Sequence, residues 1–382
     1  MKWQSYKLKE VGEVVTGNTP PTTQREYYAT QYKFIKPTDM REGQRYVPIT
    51  EEYYSELAYQ KYRKSLLPVN TPCVVTIGSL GKKMCLTDEP SFTNQAVNAV
   101  IPNENFDGVF LYYCLRTRLP YVKQLDSGTT SGRENVSKSS FSNIVIDAPS
   151  LAIQKRIASI LSAYDNLIEN NNKRIKILEQ MAENLYKEWF VRFRFPGHET
   201  TPFENGIPKG WKKGELADVC CFLRGKNITS SEMIDGPYPV IAAGLDPSGY
   251  HSAANVKGTS VTISNSGANA GYISIHYSDI WAADCSYVSE NDTKNIFFVY
   301  EMLRNLSSVI TNMQRGAAQP HVYAKDVNQL KMYLPDEKLM SKANIHFKAF
   351  HQQIFVLTKQ NEFLIKQRDL LLPRLMSGKL AV

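Results

Sequence analysis

Six histidines and six cysteines are the first places to look for catalysis or metal binding. Of His198, His251, His276, His321, His346 and His351, only the last two lie close together, and their i,i+5 spacing does not put both rings on one helical face. Cys73, Cys85, Cys114, Cys220, Cys221 and Cys285 form no C-x-x-C pair and have no histidine at ligand spacing, so they read as buried thiols. The phosphate loop G-x-x-x-x-G-K-[ST], the fingerprint G-x-G-x-x-G, the zinc helix H-E-x-x-H and the elbow G-x-S-x-G are all missing from the sequence. So are the FxGxG loop and the NPPY-type tetrapeptide of amino-methyltransferases. Asp336-Glu337-Lys338 has the outline of half a nuclease motif, but it follows Pro335 and reads better as the acidic first turn of a helix. The expectation is a non-catalytic chain with no metal or cofactor of its own. A self-contained metal-dependent nuclease is the alternative enzyme reading.

Elements must therefore position something other than an active site. The chain has 382 residues, enough for two or three domains, with 42% apolar and 21% charged residues. No apolar run approaches the length of a membrane span, and the opening MKWQSYKLKE has no apolar core, so the expected location is the cytoplasm, with no membrane partner. The net charge of +8 makes nucleic acid a candidate partner. It is not gathered in one place: residues 1–150 carry +3, residues 151–197 +3, residues 198–212 zero, residues 213–336 −3 and residues 337–382 +5.

Self-similarity organises the chain. Trp3, Leu8, Val11 and Gly17 recur as Trp211, Leu216, Val219 and Gly225, each 208 positions on. From Ile144 and Leu330 onward the offset is 186, and it holds for Pro149 and Pro335, Leu178 and Leu364, and Leu185 and Leu371. The second copy is therefore 22 residues shorter, the loss falling after its first glycine. The globular parts look β-rich: CVVTIG (73–78), VNAVIP (97–102), VTIS (261–264) and YISI (272–275) are short apolar runs between Gly, Asn, Pro and Ser clusters. One helix is expected inside each, over 108–119 and 296–306.

Two long helices are expected to follow them. Between Pro149 and Pro196 there is neither proline nor glycine. Ile157, Tyr164, Asn171, Leu178 and Leu185 recur every seven residues, and Leu161, Ile168, Ile175, Ala182 and Trp189 form the adjacent row. The second copy offers Ala343, Phe350, Leu357, Leu364 and Leu371, beside Phe347, Ile354, Asn361, Arg368 and Leu375. A helix of about 39 residues is about 58 Å long, too long to hide its stripe on one small domain. Antiparallel pairing of the two helices buries both stripes and gives a pseudo-twofold axis. The competing reading has each helix packed on its own domain. Asn171 is either a register-setting polar group in the seam or a solvent-facing residue where the stripe drifts.

These residues resemble the specificity (S) subunit of type I restriction-modification systems over nearly the whole chain. The stretch IQKRIASILSAYDNLIENNNKRIKILEQMAENLYKEWFVRFRFPG (153–197) is similar to that family's central conserved region, and RDLLLPRLMSGKL (368–380) to its C-terminal one. GNTPP (17–21) and FIKPTDM (34–40) resemble recurring recognition-domain motifs and IPKGW (207–211) the usual lead-in to the second domain, while the second unit reads GKNIT (225–229) where the first has GNTPP. The resemblance implies an α+β fold: two β-rich target-recognition domains separated by two long antiparallel helices forming a coiled coil, with a pseudo-twofold internal repeat. The expected boundaries are residues 1–150 for the first recognition domain, 151–197 for the central helix, 198–212 for a linker, 213–336 for the second recognition domain and 337–382 for the C-terminal helix.

The same resemblance implies that each domain reads half of a bipartite double-stranded DNA target. Polar and basic groups in Gly-rich loops are the candidates, since Arg binds guanine bidentately and Asn or Gln binds adenine. In the first unit they are Arg41, Arg45, Lys82, Lys83, Thr129, Thr130, Ser131 and Arg133; in the second, Arg224, Lys226, Asn265, Asn269, Tyr272, Arg315, Gln319 and His321. For helix pairing the candidates are Ile157, Tyr164, Asn171, Leu178, Leu185, Phe350, Leu357, Leu364 and Leu371. By the resemblance the helices dock DNA methyltransferase subunits, which carry S-adenosylmethionine, and a restriction subunit can add ATP- and Mg-dependent cleavage. A stand-alone coiled-coil regulator or scaffold is the alternative outside that family.

Overall fold

A computed structural model of the chain describes residues 3–126, 134–316 and 319–382. The chain falls into two compact units, residues 1–170 together with 361–382, and residues 171–360.

In the first unit the elements run β1 (Gln4–Lys7), α1 (Leu8–Val11), β2 (Gly12–Thr16), β3 (Tyr28–Ile35), β4 (Glu52–Tyr54), α2 (Glu56–Tyr62), β5 (Pro72–Val75), β6 (Met84–Leu86), β7 (Ser91–Thr93), β8 (Val97–Pro102), α3 (Gly108–Gln124), α4 (Lys138–Ser142) and β9 (Val145–Ala148). The long helix α5 (Leu151–Tyr186) follows and passes into a π-helical turn at Lys187–Val191. Then come a small hairpin of β10 (Phe203–Glu204) and β11 (Ile207–Pro208), followed by β12 (Lys212–Glu215), β13 (Leu223–Arg224), β14 (Tyr238–Ile241), β15 (Gly249–His251), β16 (Ser260–Ser264), β17 (Ile273–His276), β18 (Trp281–Ala282) and β19 (Cys285–Ser289). Helices α6 (Ile296–Asn305), α7 (Ser307–Asn312) and α8 (Ala324–Asn328), strand β20 (Lys331–Leu334) and the long helix α9 (Glu337–Met376) complete the chain.

The repeat is carried down to the strand order. A four-stranded sheet β2-β8-β5-β6 in the first unit matches β13-β19-β16-β17 in the second. A three-stranded sheet β4-β3-β7 matches β15-β14-β18, each with one antiparallel and one parallel pairing. The antiparallel pairs β1-β9 and β12-β20 close each domain beside its long helix. Strands β5 and β16 are buried along their whole length, which is why both read as unbroken runs of apolar and small residues. Gly17 and Gly225, two of the repeated residues, end β2 and β13. A Cβ on Gly17 would lie 2.0 Å from the Thr93 carbonyl oxygen, and one on Gly225 2.3 Å from that of Ala283. Close backbone approach, not a turn, demands glycine there.

The shortening of the second copy lies mainly in two connections. Sixteen residues separate β3 from β4, against seven between β14 and β15; seventeen separate β4 from β5, against eight between β15 and β16. The second of these connections holds α2, which has no counterpart in the second unit. The expected domain helix over 108–119 runs on to Gln124, with Pro120 inside it. Proline reads as a stop in sequence, but here only one backbone hydrogen bond is given up at the helix surface.

The two long helices pair antiparallel, and each contributes to both units. Ile157 and Leu161 of α5 share the first core with Leu372, Leu375 and Met376 of α9. In the second unit Ala182, Tyr186 and Trp189 share a core with Ala343 and Phe347, and Leu178 meets Ile354 and Leu357 in a separate apolar seam. The reading in which each helix lies only on its own domain is thereby excluded. Asn171 is buried in its seam and its Nδ2 faces the Gln360 Oε1 at 3.5 Å. The buried positions of α9 fall mostly on the row of Phe347, Ile354, Asn361, Arg368 and Leu375, while Phe350, Leu364 and Leu371 are half-buried, as are Tyr164 and Leu185 on α5. A straight helix of 3.6 residues per turn drifts relative to a seven-residue repeat, so a single row cannot stay centred in the seam.

Candidate nucleic-acid interface

One end of each four-stranded sheet gathers the loops that could touch DNA. In the second unit β13 and β16 run into this tip, and β17 and β19 start from it. Lys226 N donates to Ala282 O and Gly225 N to Cys285 O, tying the loop after β13 to the start of β19. The loop after β16 is tied to a more distant segment: Gly267 N donates to Pro320 O (3.0 Å), Val322 N donates to Asn265 O (2.9 Å), and Ser266 bridges His321. Arg315 and His321 exchange both backbone hydrogen bonds as an antiparallel pair. Arg224, Lys226, Asn265, Asn269, Tyr272, Arg315, Gln319 and His321, nearly a hundred residues apart in sequence, thus meet at one place.

The first unit builds the same tip. Gly78 N donates to Glu134 O (3.0 Å), Val136 N to Thr76 O (2.8 Å), and Ile77 bridges Asn135. Gly17 N donates to Val97 O and Asn18 N to Thr93 O, as Gly225 and Lys226 do in the second unit. Lys82 is exposed at the start of β6, and Lys83 reaches across to donate to Pro37 O at 2.9 Å, beside the loop that carries the exposed Arg41. Thr129, Thr130, Ser131 and Arg133 lie outside the described residues, although Glu134 and Asn135, which follow them, are at the tip.

Individual side chains at these tips divide sharply. Exposed and aimed outward are Arg224, Lys226, Gln319 and Tyr272, the last about half exposed. Lys226 hovers over the Trp281 ring at 6.0 Å, and His321 stacks on Tyr323 with centroids 5.9 Å apart. Arg315 Nη2 pairs with Asp326 Oδ1 at 2.9 Å, and Asn269 Nδ2 donates to the Ala243 carbonyl at 3.3 Å.

Two expected DNA contacts are corrected. Arg45 is turned inward: it is 4% exposed, its Nε and Nη2 lie 3.0 and 2.9 Å from the two carboxylate oxygens of Glu169 on α5, and it covers the Tyr46 ring at 4.4 Å. A bidentate pair of this kind fastens a loop to a helix and leaves no donor fork for guanine. Asn265 is also buried, and its Oδ1 accepts from the Ser286 hydroxyl at 2.7 Å. The first unit has the same bond with the residue types exchanged, Asn98 Nδ2 donating to Thr76 Oγ1 at 3.0 Å. Both bonds hold the tip together. Sequence alone could not tell an inward Arg or Asn from an outward one in such loops.

A further basic cluster escaped the sequence reading. Arg63, Lys64 and Lys138 are exposed beside the first tip, with Lys61 next to them, around a cleft of about 770 Å³. The signal was present as the run Lys61-Tyr62-Arg63-Lys64.

Five of the six thiols are shut away from solvent. Cys73, Cys85, Cys114, Cys220 and Cys285 are free and buried, and burial pushes Cys114, Cys220 and Cys285 up to about 12. Cys221 differs from the expectation in being exposed, since it lies on the outer side of the loop into β13. Among the described residues no group of three His, Cys, Asp or Glu is placed to hold a metal ion, and no helix is long and apolar enough to cross a membrane.

Known proteins share this design. A family model described as the type I restriction modification DNA specificity domain matches residues 1–180 and again 208–354, one match per repeat. The MjaIX specificity subunit of Methanocaldococcus jannaschii is 26% identical over 408 residues, covering all of this chain and 94% of that protein. The HindI specificity subunit of Haemophilus influenzae is 33% identical over 175 residues, 44% of this chain and 38% of that one. Among solved structures, the S subunit from M. genitalium superposes with a TM-score of 0.68 at 20% identity, over 98% of this chain and 96% of that one, a likeness of fold. Two matches of the family model, one on each copy of the repeat, and a relative aligned end to end place the chain in the type I restriction-modification DNA specificity family, as a non-catalytic specificity subunit.

Proposed function

We propose that each sheet tip reads one half of a split, non-palindromic DNA target, and that the paired long helices dock methyltransferase subunits. One observation carries this reading: the same tip is built twice from the same backbone bonds, but with different side chains. Lys82 and Lys83 stand at the first, and Asn269, Tyr272, Gln319 and His321 at the second. A shared frame with unlike outward groups is what two different half-sites require, because base edges are read by side chains while backbone contacts only position the duplex.

The expected partners are double-stranded DNA and methyltransferase subunits, with a restriction subunit as a possible third. S-adenosylmethionine, ATP and Mg belong to those partners and none to this chain, whose place of work is the cytoplasm. Its expected domains are residues 1–150 and 213–336 for recognition and 151–197 and 337–382 for docking.

Methylome sequencing of a cell carrying this chain with its methyltransferase tests the proposal. The expected result is a two-part asymmetric motif with unread bases between the parts. Exchanging the outward residues of the second tip should change one part and leave the other. A palindromic or continuous motif, or a change in both parts, overturns it.

A further inference from the structure

Resting on that reading, we infer that the first unit supplies most of the sequence-independent grip on DNA, through a phosphate-binding cleft that the second unit lacks. The cleft lies between the edge strand β2 and the helix α2 with the tight turn after it. Thr16 and Asn18 line one wall, and Lys61, Arg63, Lys64 and Ser65 the other, with Lys138 at its mouth. Its floor is polar and fixed: Asn18 Nδ2 donates to Ser65 Oγ at 3.1 Å, and Thr16 Oγ1 donates to the Asn98 side-chain oxygen at 2.5 Å. Lys61 is held in place by the Tyr27 hydroxyl at 2.9 Å and by the face of the Tyr27 ring at 4.5 Å. Arg63, Lys64 and Lys138 are exposed; among the described residues they make no ion pair, and Glu13 is the only carboxylate lining the cleft.

Unpaired cations around a polar trough fit a chain of phosphates. Each phosphate neutralised releases a counterion, so these contacts add affinity for any sequence. The cleft adjoins the tip through Thr16 and Asn18, so a strand leaving that tip would meet it. Among the described residues the second unit has nothing comparable. Its connection between β15 and β16 is the shortened one, and the one cation there, Lys257, is paired with Asp279 at 3.6 Å. Residues 213–336 are net negative, with 9 basic and 12 acidic groups. The 22-residue difference between the copies thus removes the anchor along with the helix that carries it.

The test is the salt dependence of duplex binding by the full-length chain with its methyltransferase, on target and on scrambled DNA. The triple variant Arg63→Gln, Lys64→Gln, Lys138→Gln should lose about 0.9 of log–log slope per charge, about 2.7 in all. Between 50 and 200 mM salt its affinity should therefore fall about 40-fold less than that of the unsubstituted protein. Loss at low salt should be equal on both DNAs, so the preference for target is kept. Lys257→Gln should change neither slope nor affinity. An unchanged slope in the triple variant, with the melting temperature intact, overturns the inference. So does normal DNA binding with lost methyltransferase assembly, which would assign the cleft to an acidic protein surface. If the unsubstituted complex shows no preference for any sequence, the tip reading fails, while the slope still decides the cleft.

Discussion

The two units fasten their domain helices to the long helices at the same position with different chemistry. In the first, Asp165 of α5 accepts from Arg368 Nη1 at 2.5 Å and from the Tyr113 hydroxyl at 2.5 Å, and acid and guanidinium are each 5% exposed. In the second, 186 residues on, His351 stands in place of Asp165. Its Nε2 lies 2.8 Å from Glu301 Oε1 and its Nδ1 2.8 Å from the Tyr277 hydroxyl. Glu301 occupies in α6 the place that Tyr113 occupies in α3, within Tyr-Glu-Met-Leu-Arg against Tyr-Tyr-Cys-Leu-Arg. Even the flanking arginines correspond: Arg116 faces Asp369 at 3.6 Å, and Arg304 faces Glu301 at 3.8 Å. The apolar frame is common property of the repeat, while the polar joint is private to each copy. Dispersion and burial tolerate exchange among shapes of similar size, but a buried acid demands a specific partner.

The comparison can be broken at several places, beginning with the apolar frame. Leu178→Asp should have the largest effect, losing the ~2–5 kcal/mol of a truncated core leucine and adding an unpaired buried charge beside Ile354 and Leu357. Thermal unfolding should show a lost or greatly lowered transition for the second unit, and methyltransferase assembly should fail; an unaltered melting curve would contradict the seam. Arg368→Met comes next. It strands Asp165 in the first joint and should cost about 3–5 kcal/mol, most of it recovered when Asp165→Leu is added. Equal destabilisation in single and double variants would show that the pair matters for packing alone.

Acid should separate the units. All six histidines lie in residues 171–360, so the first unit has none. Burial lowers His276 to about 4, with its Nε2 2.9 Å from Thr262 Oγ1. Its unfolded value is near 6.5, so the unfolded chain binds the extra proton first as pH falls. The stability held above pH 6.5 is lost progressively down to about pH 4, reaching about 3 kcal/mol. His276→Gln should flatten that part of the pH–stability curve for the second unit and leave the first unchanged; an identical curve would remove His276 as its cause. The smallest expected effect is that of Arg315→Ala. Its pair with Asp326 is exposed and should contribute under ~1 kcal/mol to stability, while target binding falls about tenfold. Unchanged binding would confine Arg315 to its backbone pairing with His321.

Much of this was legible before any coordinates. The repeat, the paired long helices and the β-rich character of the domains follow from spacing alone, because periodicity records which face must be buried. Gly17 and Gly225 were visible as a repeated pair, though the reason for them, a carbonyl 2.0 to 2.3 Å from any added Cβ, was not. The candidate contacts were legible as a set and not as individuals: Arg45 and Asn265 share residue type and loop context with Arg41 and Asn269, yet they face inward. Direction of a loop side chain depends on a partner far away in sequence, here Glu169 and Ser286.

The sequence by itself determined that two similar modules alternate with two helices whose apolar stripes need each other, since hydrophobic period and repeat offset are local properties of the chain. Tertiary structure alone decided that Pro320, His321 and Val322 come to lie beside Asn265, Ser266 and Gly267, that α9 ends in the first unit's core, and that the two polar joints differ in kind. Those outcomes depend on contacts between distant segments, where hydrogen-bond partners must match in three dimensions and no local pattern records the match.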